Sequence, residues 1–230
     1  MPIPACFCWT RFGTEAGQLI EQIFDRKEQE RAANRGLFFW GIGNSIGPSI
    51  AELLIRTERP EVLFSPIKST PRAVDSSPAA VVAWSSAETL SGEPFRLPAS
   101  SLITSRHDPD AEREARYALV CFTPQPLLNT GCEDKIAPSD LRNLLTGRPV
   151  GASQVTAVVQ RAETASVGTQ RYSVCIRANL VSPYFIRLRD PLLLGKPDQD
   201  SDWGKTVRKV WEDRISGSSR MSVPKSARLF

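Results

Sequence analysis

Leu37-Phe38-Phe39-Trp40-Gly41-Ile42-Gly43-Asn44-Ser45-Ile46-Gly47-Pro48-Ser49-Ile50-Ala51-Glu52-Leu53-Leu54 decides how the chain is read. The run from Leu37 to Ile42 is apolar, short and aromatic, which describes a buried strand. Gly43 to Gly47 make a turn. Pro48 suits the first turn of a helix, where its missing N–H has no intrahelical partner. Ile50, Leu53 and Leu54 then share one helical face. A strand passing through a glycine turn into an amphipathic helix puts the chain in a mixed class of α and β elements.

Working outward, Ala5 to Thr10 is a second compact apolar strand. Thr14 is placed to cap a helix, with Glu15 favourable in its first turn. Ala16, Leu19, Ile20, Ile23 and Phe24 recur at helical spacing and form an apolar stripe. Asp25 to Arg31 is strongly charged and is expected to face water, and Gly36 is the stop. Further strands are expected over Glu61–Ser65, Ala79–Ser85, near Arg96 or Leu102, over Tyr117–Thr123, Gln154–Arg161 and Arg171–Ala178, and over Tyr184–Leu188. Helices are expected over Ser139–Leu145 and Trp203–Arg214. Arg106 to Glu114 is expected to be a polar loop with a short helical turn. The strands and helices do not alternate regularly, and no internal repeat is present. The expectation is an α+β fold: a mixed, mainly antiparallel β-barrel with peripheral helices. Residues 1–202 make one domain, and 203–230 a C-terminal basic helix and tail.

Composition narrows the function classes. At 230 residues and 41% hydrophobic the chain can bury a substantial core. No apolar run approaches the ~20 residues that span a bilayer. The segment Met1 to Trp9 lacks the basic flank and cleavage site of a signal peptide. A soluble, cytoplasmic protein without a membrane partner is expected. Five cysteines, Cys6, Cys8, Cys121, Cys132 and Cys175, contain no C-x-x-C pair and form no disulfide framework. Cys6 and Cys8, two apart, would share one face of a strand as small buried hydrophobes. The net charge of +4 is concentrated at one end. Residues 203–230 hold seven basic side chains against Glu212 and Asp213, a net +5 that leaves −1 for residues 1–202. Within this end, Lys205, Arg208, Lys209 and Arg214 are candidates to meet phosphate.

Histidine chemistry has little to work with. The single histidine, His107, lies in the polar segment Arg106-His107-Asp108-Pro109-Asp110; a proline-containing polar loop is a poor place for a base that must be buried and oriented by a third group, and the aspartates there are expected to cap the following turn. No metal-ligand spacing and no cofactor motif is complete, and the balance leans away from an enzyme. Gly41-x-Gly43 followed by Gly47 falls one residue outside the dinucleotide spacing, though a phosphate on the N-terminus of the following helix stays open as a second reading. Three tryptophans sit near strand ends beside polar groups: Trp9 with Arg11, Trp40 with Asn44 and Ser45, and Trp84 with its serines. Such a set either belongs to the core or stacks an unpaired base and reads its edge.

The order of strand, amphipathic helix with a charged end, and aromatic strand resembles the opening of PUA-like domains, such as the ASCH and EVE groups. The ASCH groups carry a Lys-x-x-Glu-x-Arg element after the first helix region. Here Lys27-Glu28-Gln29-Glu30-Arg31 keeps the lysine–glutamate spacing, sets the arginine one residue early, and lacks the preceding glycine. The resemblance covers residues 5–65. It implies a small β-barrel whose cleft reads RNA or a modified base in DNA. On it the ligand-binding candidates are Trp9, Arg11, Trp40, Asn44, Ser45 and Trp84, and the expected partner is nucleic acid. A nucleotide-binding enzyme using the 41–47 turn and a protein-interaction domain without a small ligand are the alternatives.

Overall fold

The computed structural model describes residues 2–13, 20–67, 80–98, 101, 103–107, 116–151, 154–162 and 170–195. In chain order the elements are β1 (Cys6–Phe12), α1 (Ile20–Ala33), β2 (Leu37–Ile42), α2 (Gly47–Arg56), β3 (Glu61–Pro66), β4 (Ala80–Thr89), β5 (Pro94–Phe95) and β6 (Ile103–His107). Then come β7 (Tyr117–Phe122), β8 (Cys132–Ile136), β9 (Leu141–Asn143), β10 (Thr156–Arg161), β11 (Tyr172–Val174) and β12 (Ile176–Gly195). The expected C-terminal helix, with Lys205, Arg208, Lys209 and Arg214, lies outside the described residues, as do Thr14, Ala16 and Leu19.

Ten strands share one sheet in the order β2-β7-β12-β3-β1-β10-β9, with β4 added along β12 and β5 and β6 on β4. A separate ladder joins β8 to β11. Among the described residues the single parallel pair is β1 with β3, from Cys8 opposite Val62 to Phe12 opposite Pro66. A parallel pair needs a crossover, and α1, β2 and α2 supply it. The other pairings are antiparallel, so the class is α+β with a large, mainly antiparallel sheet. No described pairing joins β2 to β6, although the two touch.

The sheet is held together by β12. Its start pairs with β3, its middle with β7 and its later part with β4. The register against β7 slips between Leu180 and Phe185, where Tyr184 takes φ 63°. The two stretches read as separate strands, Arg171–Ala178 and Tyr184–Leu188, are largely this one irregular strand, with β11 just before it. Such an irregularity bends a strand and lets it serve more than one neighbour.

Both faces of the sheet are covered, and alternation along each strand assigns the side chains. Cys8, Phe12, Phe38, Trp40 and Ile42 point into the main cluster, which Ile23 of α1 and Ile50 and Leu53 of α2 close. Phe39 points the other way, into a second cluster with Trp84, Ile103 and Ile186. Phe7 and Trp9 enter a third, with Leu63, Ile136, Leu141 and Val159. Cys8 is fully buried and Cys6 packs against the same cluster, as their spacing predicts, and all five cysteines are free thiols.

Three further expectations are corrected. Arg106 and His107, expected in a polar loop, end β6 opposite Val81 and Ala80 of β4, and residues 108–114 of that stretch lie outside the described residues. Ser139–Leu145 is not a helix: a 3-10 turn at Pro138–Asp140 runs into β9, which pairs with β10. The Asn143 side-chain oxygen accepts from the backbone N–H of Leu145 and Thr146, at 3.1 Å each. This local bonding competes with helix and turns the chain back to Gly147, at φ +65°. The charged end of α1 faces water only in part: Asp25 is exposed and Glu28 and Arg31 are partly so, but Arg26, Lys27 and Glu30 are buried.

Candidate functional site

The reason for that burial lies at the edge of the sheet. Thr123 N–H donates to Gly36 C=O at 2.9 Å, in register with the β2–β7 ladder. Even-numbered residues of β2 therefore exchange bonds with β7, and odd-numbered ones turn their backbone groups outward. α1 packs on that side. Glu30 Oε1 accepts the outward N–H of Phe39 at 3.0 Å, and Lys27 Nζ donates to the C=O of the same residue. The two side chains also pair with each other, Nζ to Oε2 at 2.6 Å. Placed three apart on one helical face, they do for Phe39 what a neighbouring strand would do. Burial pushes the Lys27 ammonium below the usual lysine pKa, and the Glu30 carboxylate pulls it back up.

The next pair along α1 reaches the segment after β7. Glu28 takes Arg31 on both oxygens, at 2.7 and 3.0 Å, and its Oε2 also accepts the Leu127 N–H at 2.8 Å. Arg31 Nη1 donates to Pro124 C=O at 3.4 Å. The arginine holds the Glu28 carboxyl below its usual range, and the Leu127 amide assists. Gly36, at φ +105°, makes the turn from α1 into β2; a methyl there would stand 2.7 Å from the Phe122 ring.

This segment walls a cleft of about 350 Å³. Phe122 to Gln125 and Asn129 to Cys132 form one wall, and Glu61 of β3 with Arg177 and Asn179 of β12 the other. The volume lies within the ~300–1,000 Å³ of small-ligand sites. The backbone approaches closely at Gly131, where a side chain would meet the C=O of Val174 and Cys175 at 3.1 Å. Thr130 Oγ1 ties the walls together, donating to Leu127 C=O at 2.8 Å and accepting the Arg177 N–H at 3.2 Å.

The chemistry of the cleft is neutral and polar. Arg177 clasps Glu61 with two bonds, Nε to Oε2 at 2.6 Å and Nη2 to Oε1 at 3.1 Å, so the two charges of the lining cancel. Gln125, Asn129 and Asn179 are exposed and present primary carboxamides, each with donors and an acceptor. Phe122 adds a half-buried ring. Cys132 is partly buried, which raises its thiol pKa and keeps it protonated near neutrality.

The six residues singled out from the sequence are not brought to one place. Trp9, Trp40 and Trp84 are 1%, 7% and 4% exposed and belong to three different apolar clusters. Trp9 donates from Nε1 to Ser65 Oγ at 3.0 Å. Trp40 packs against Phe12 and Phe64 at centroid distances of 5.1 and 4.5 Å. Arg11 is buried, stacked 5.2 Å from the Trp9 ring and 5.5 Å from that of Tyr172, with Nε donating to Gln154 C=O at 3.1 Å. Asn44 and Ser45 are exposed in the turn before α2. At Gly47 a side chain would meet Leu90 at 3.1 Å and Phe185 at 3.7 Å, so apolar groups flank the first residue of that helix.

Sequence reasoning missed the cleft residues because they come from stretches far apart in the chain. The signal nearest to them was Lys27-Glu28-Gln29-Glu30-Arg31, whose spacing marks the contacts of α1 with β2 and with the cleft wall. Comparison with protein families, with curated proteins and with solved structures finds no match to this chain.

Proposed function

We propose that this chain is a nucleic-acid-binding reader, built on a PUA-like barrel, that takes an unpaired or modified base into the cleft between β3, β12 and the segment after β7. The observation that carries the reading is the lining. Three exposed carboxamides, Gln125, Asn129 and Asn179, border a cleft whose charges, Glu61 and Arg177, neutralise each other. Such a site favours a neutral planar group with donors and acceptors on its edge over a phosphate. A nucleobase is that kind of group, and Asn and Gln pair with base edges through two bonds. Phe122 offers a ring against which a base can pack. Phosphates fall to basic side chains elsewhere, those of residues 203–230 among them. Trp9, Trp40 and Trp84 then support the sheet that carries the cleft.

The test is fluorescence-anisotropy binding to labelled single- and double-stranded DNA and RNA, with and without modified bases, across a salt series. The reading expects a preference for one unpaired or modified base that persists as salt rises, and its loss in Asn179→Ala or Gln125→Ala. Binding that ignores base identity and falls steeply with salt reduces the activity to phosphate contacts. Absence of binding at low salt removes the reading.

A further inference from the structure

We propose that Glu28 and Arg31 are positioning residues of the cleft: by holding the segment 124–129 against α1, they set how far Gln125 and Asn129 stand from Asn179. The inference rests on the reading of the cleft as a base pocket. The Glu28 carboxylate is one acceptor shared by two partners. Arg31 reaches it through Nε and Nη2, and the Leu127 amide through its N–H at 2.8 Å. Arg31 extends the clamp to Pro124 C=O. Gln125 lies between the two clamped points, and Asn129 comes two residues after the second, with its N–H on the C=O of Pro126 at 2.9 Å. From below, the segment is anchored by the fully buried Leu127 side chain. On the opposite wall Asn179 sits in β12, fixed by its pairing with both Glu61 of β3 and Phe122 of β7. One wall is thus set by the sheet and the other by a helix side-chain pair.

A purely structural pair would show itself differently. Glu28 and Arg31 keep 28% and 11% of their side chains exposed, and ion pairs of this kind add little to global stability. Their contacts instead converge on one short stretch of backbone. Local release of that stretch, with the sheet intact, is the signature of a positioning role. Two carboxamides displaced by even 1 Å lose two-bond geometry on a base edge, because hydrogen bonds weaken steeply with angle and distance.

The experiment compares the full chain with Glu28→Ala, Glu28→Gln and Asn179→Ala. Amide hydrogen exchange is read by peptide across 122–131, alongside binding to labelled homopolymeric single strands of each base. In Glu28→Ala, exchange over 124–130 is expected to rise tenfold or more while β7 and β12 stay protected. Affinity for the preferred base is expected to fall tenfold or more, and the preference among bases to flatten. Glu28→Gln keeps an oxygen for the Leu127 N–H and is expected to lie between. Unchanged exchange over 124–130 in Glu28→Ala overturns the positioning role whether or not any strand binds. If Asn179→Ala weakens binding and Glu28→Ala does not, the cleft reading stands and the positioning role fails. If neither changes the binding of the wild-type chain, the cleft reading itself fails.

Discussion

In Glu30→Ala, the Lys27 ammonium and the Phe39 amide lose their common acceptor in a place where Glu30 is 0% exposed and Lys27 3%. Stranding one partner of a buried ion pair costs about 3–5 kcal/mol. A buried backbone N–H left without an acceptor adds about 1–3 kcal/mol. The two overlap, because room left by the lost side chain lets water reach both groups. We expect a loss of about 4–6 kcal/mol, most of the total stability of a domain that has only about 5–15. Glu30→Gln keeps an oxygen for the Phe39 N–H and loses the charge, so about 2–4 kcal/mol is expected from the unpaired ammonium. The double substitution Lys27→Met with Glu30→Leu removes both charges of the pair, leaves the two Phe39 backbone groups unserved and takes the Glu30 carboxylate away from the buried Arg26. It should cost less than the sum of its singles, and about as much as Glu30→Gln. Equilibrium urea unfolding followed by tryptophan fluorescence reads all of these. A cost below about 1 kcal/mol for Glu30→Ala, or a double variant whose cost is the plain sum of the singles, refutes the idea that this pair stands in for a neighbouring strand.

Gly36→Ala puts a side chain at φ +105° and against the Phe122 ring, and should cost about 2 kcal/mol or more by the same unfolding assay. Trp40→Ala and Trp84→Ala should each cost about 3–5 kcal/mol, as for large core residues; near-native stability with lost ligand binding would instead make them site residues. The Glu28 carboxyl has a folded pKa below its unfolded value, so the stability it contributes is full above that unfolded value, about 4.3, and drains away as pH falls through the folded one. The stability gap between wild type and Glu28→Gln should therefore shrink as pH falls from about 5 through the folded pKa, and a gap that widens on acidification would contradict the assignment.

Much of the secondary structure was legible because it is written in local periodicity. The alternating burial of Phe38, Phe39 and Trp40, the stripe Ile20-Ile23-Phe24 and the turn into α2 at Pro48 all follow from spacing. Ser139–Leu145 was misread because Asn143 bonds its own following backbone, and strand pairing with β10 outweighed a weak helical pattern. The tryptophans illustrate a different limit. A polar neighbour in sequence does not reveal whether an aromatic face is covered, since successive strand residues point to opposite sides.

The α+β class and the lack of a disulfide framework are both legible in the linear chain, because composition and short-range pattern suffice for these. The folded structure was needed to show that Arg26, Lys27 and Glu30 of a charged helical stretch are buried. A sheet edge with free backbone groups offers Lys27 and Glu30 partners that pattern alone cannot supply. It also decided where the cleft lies. Residues 61, 122 and 177–179 meet through the β3–β12–β7 pairing, and 124–131 through contacts with α1 and β12; such long-range contacts leave no local mark on the chain.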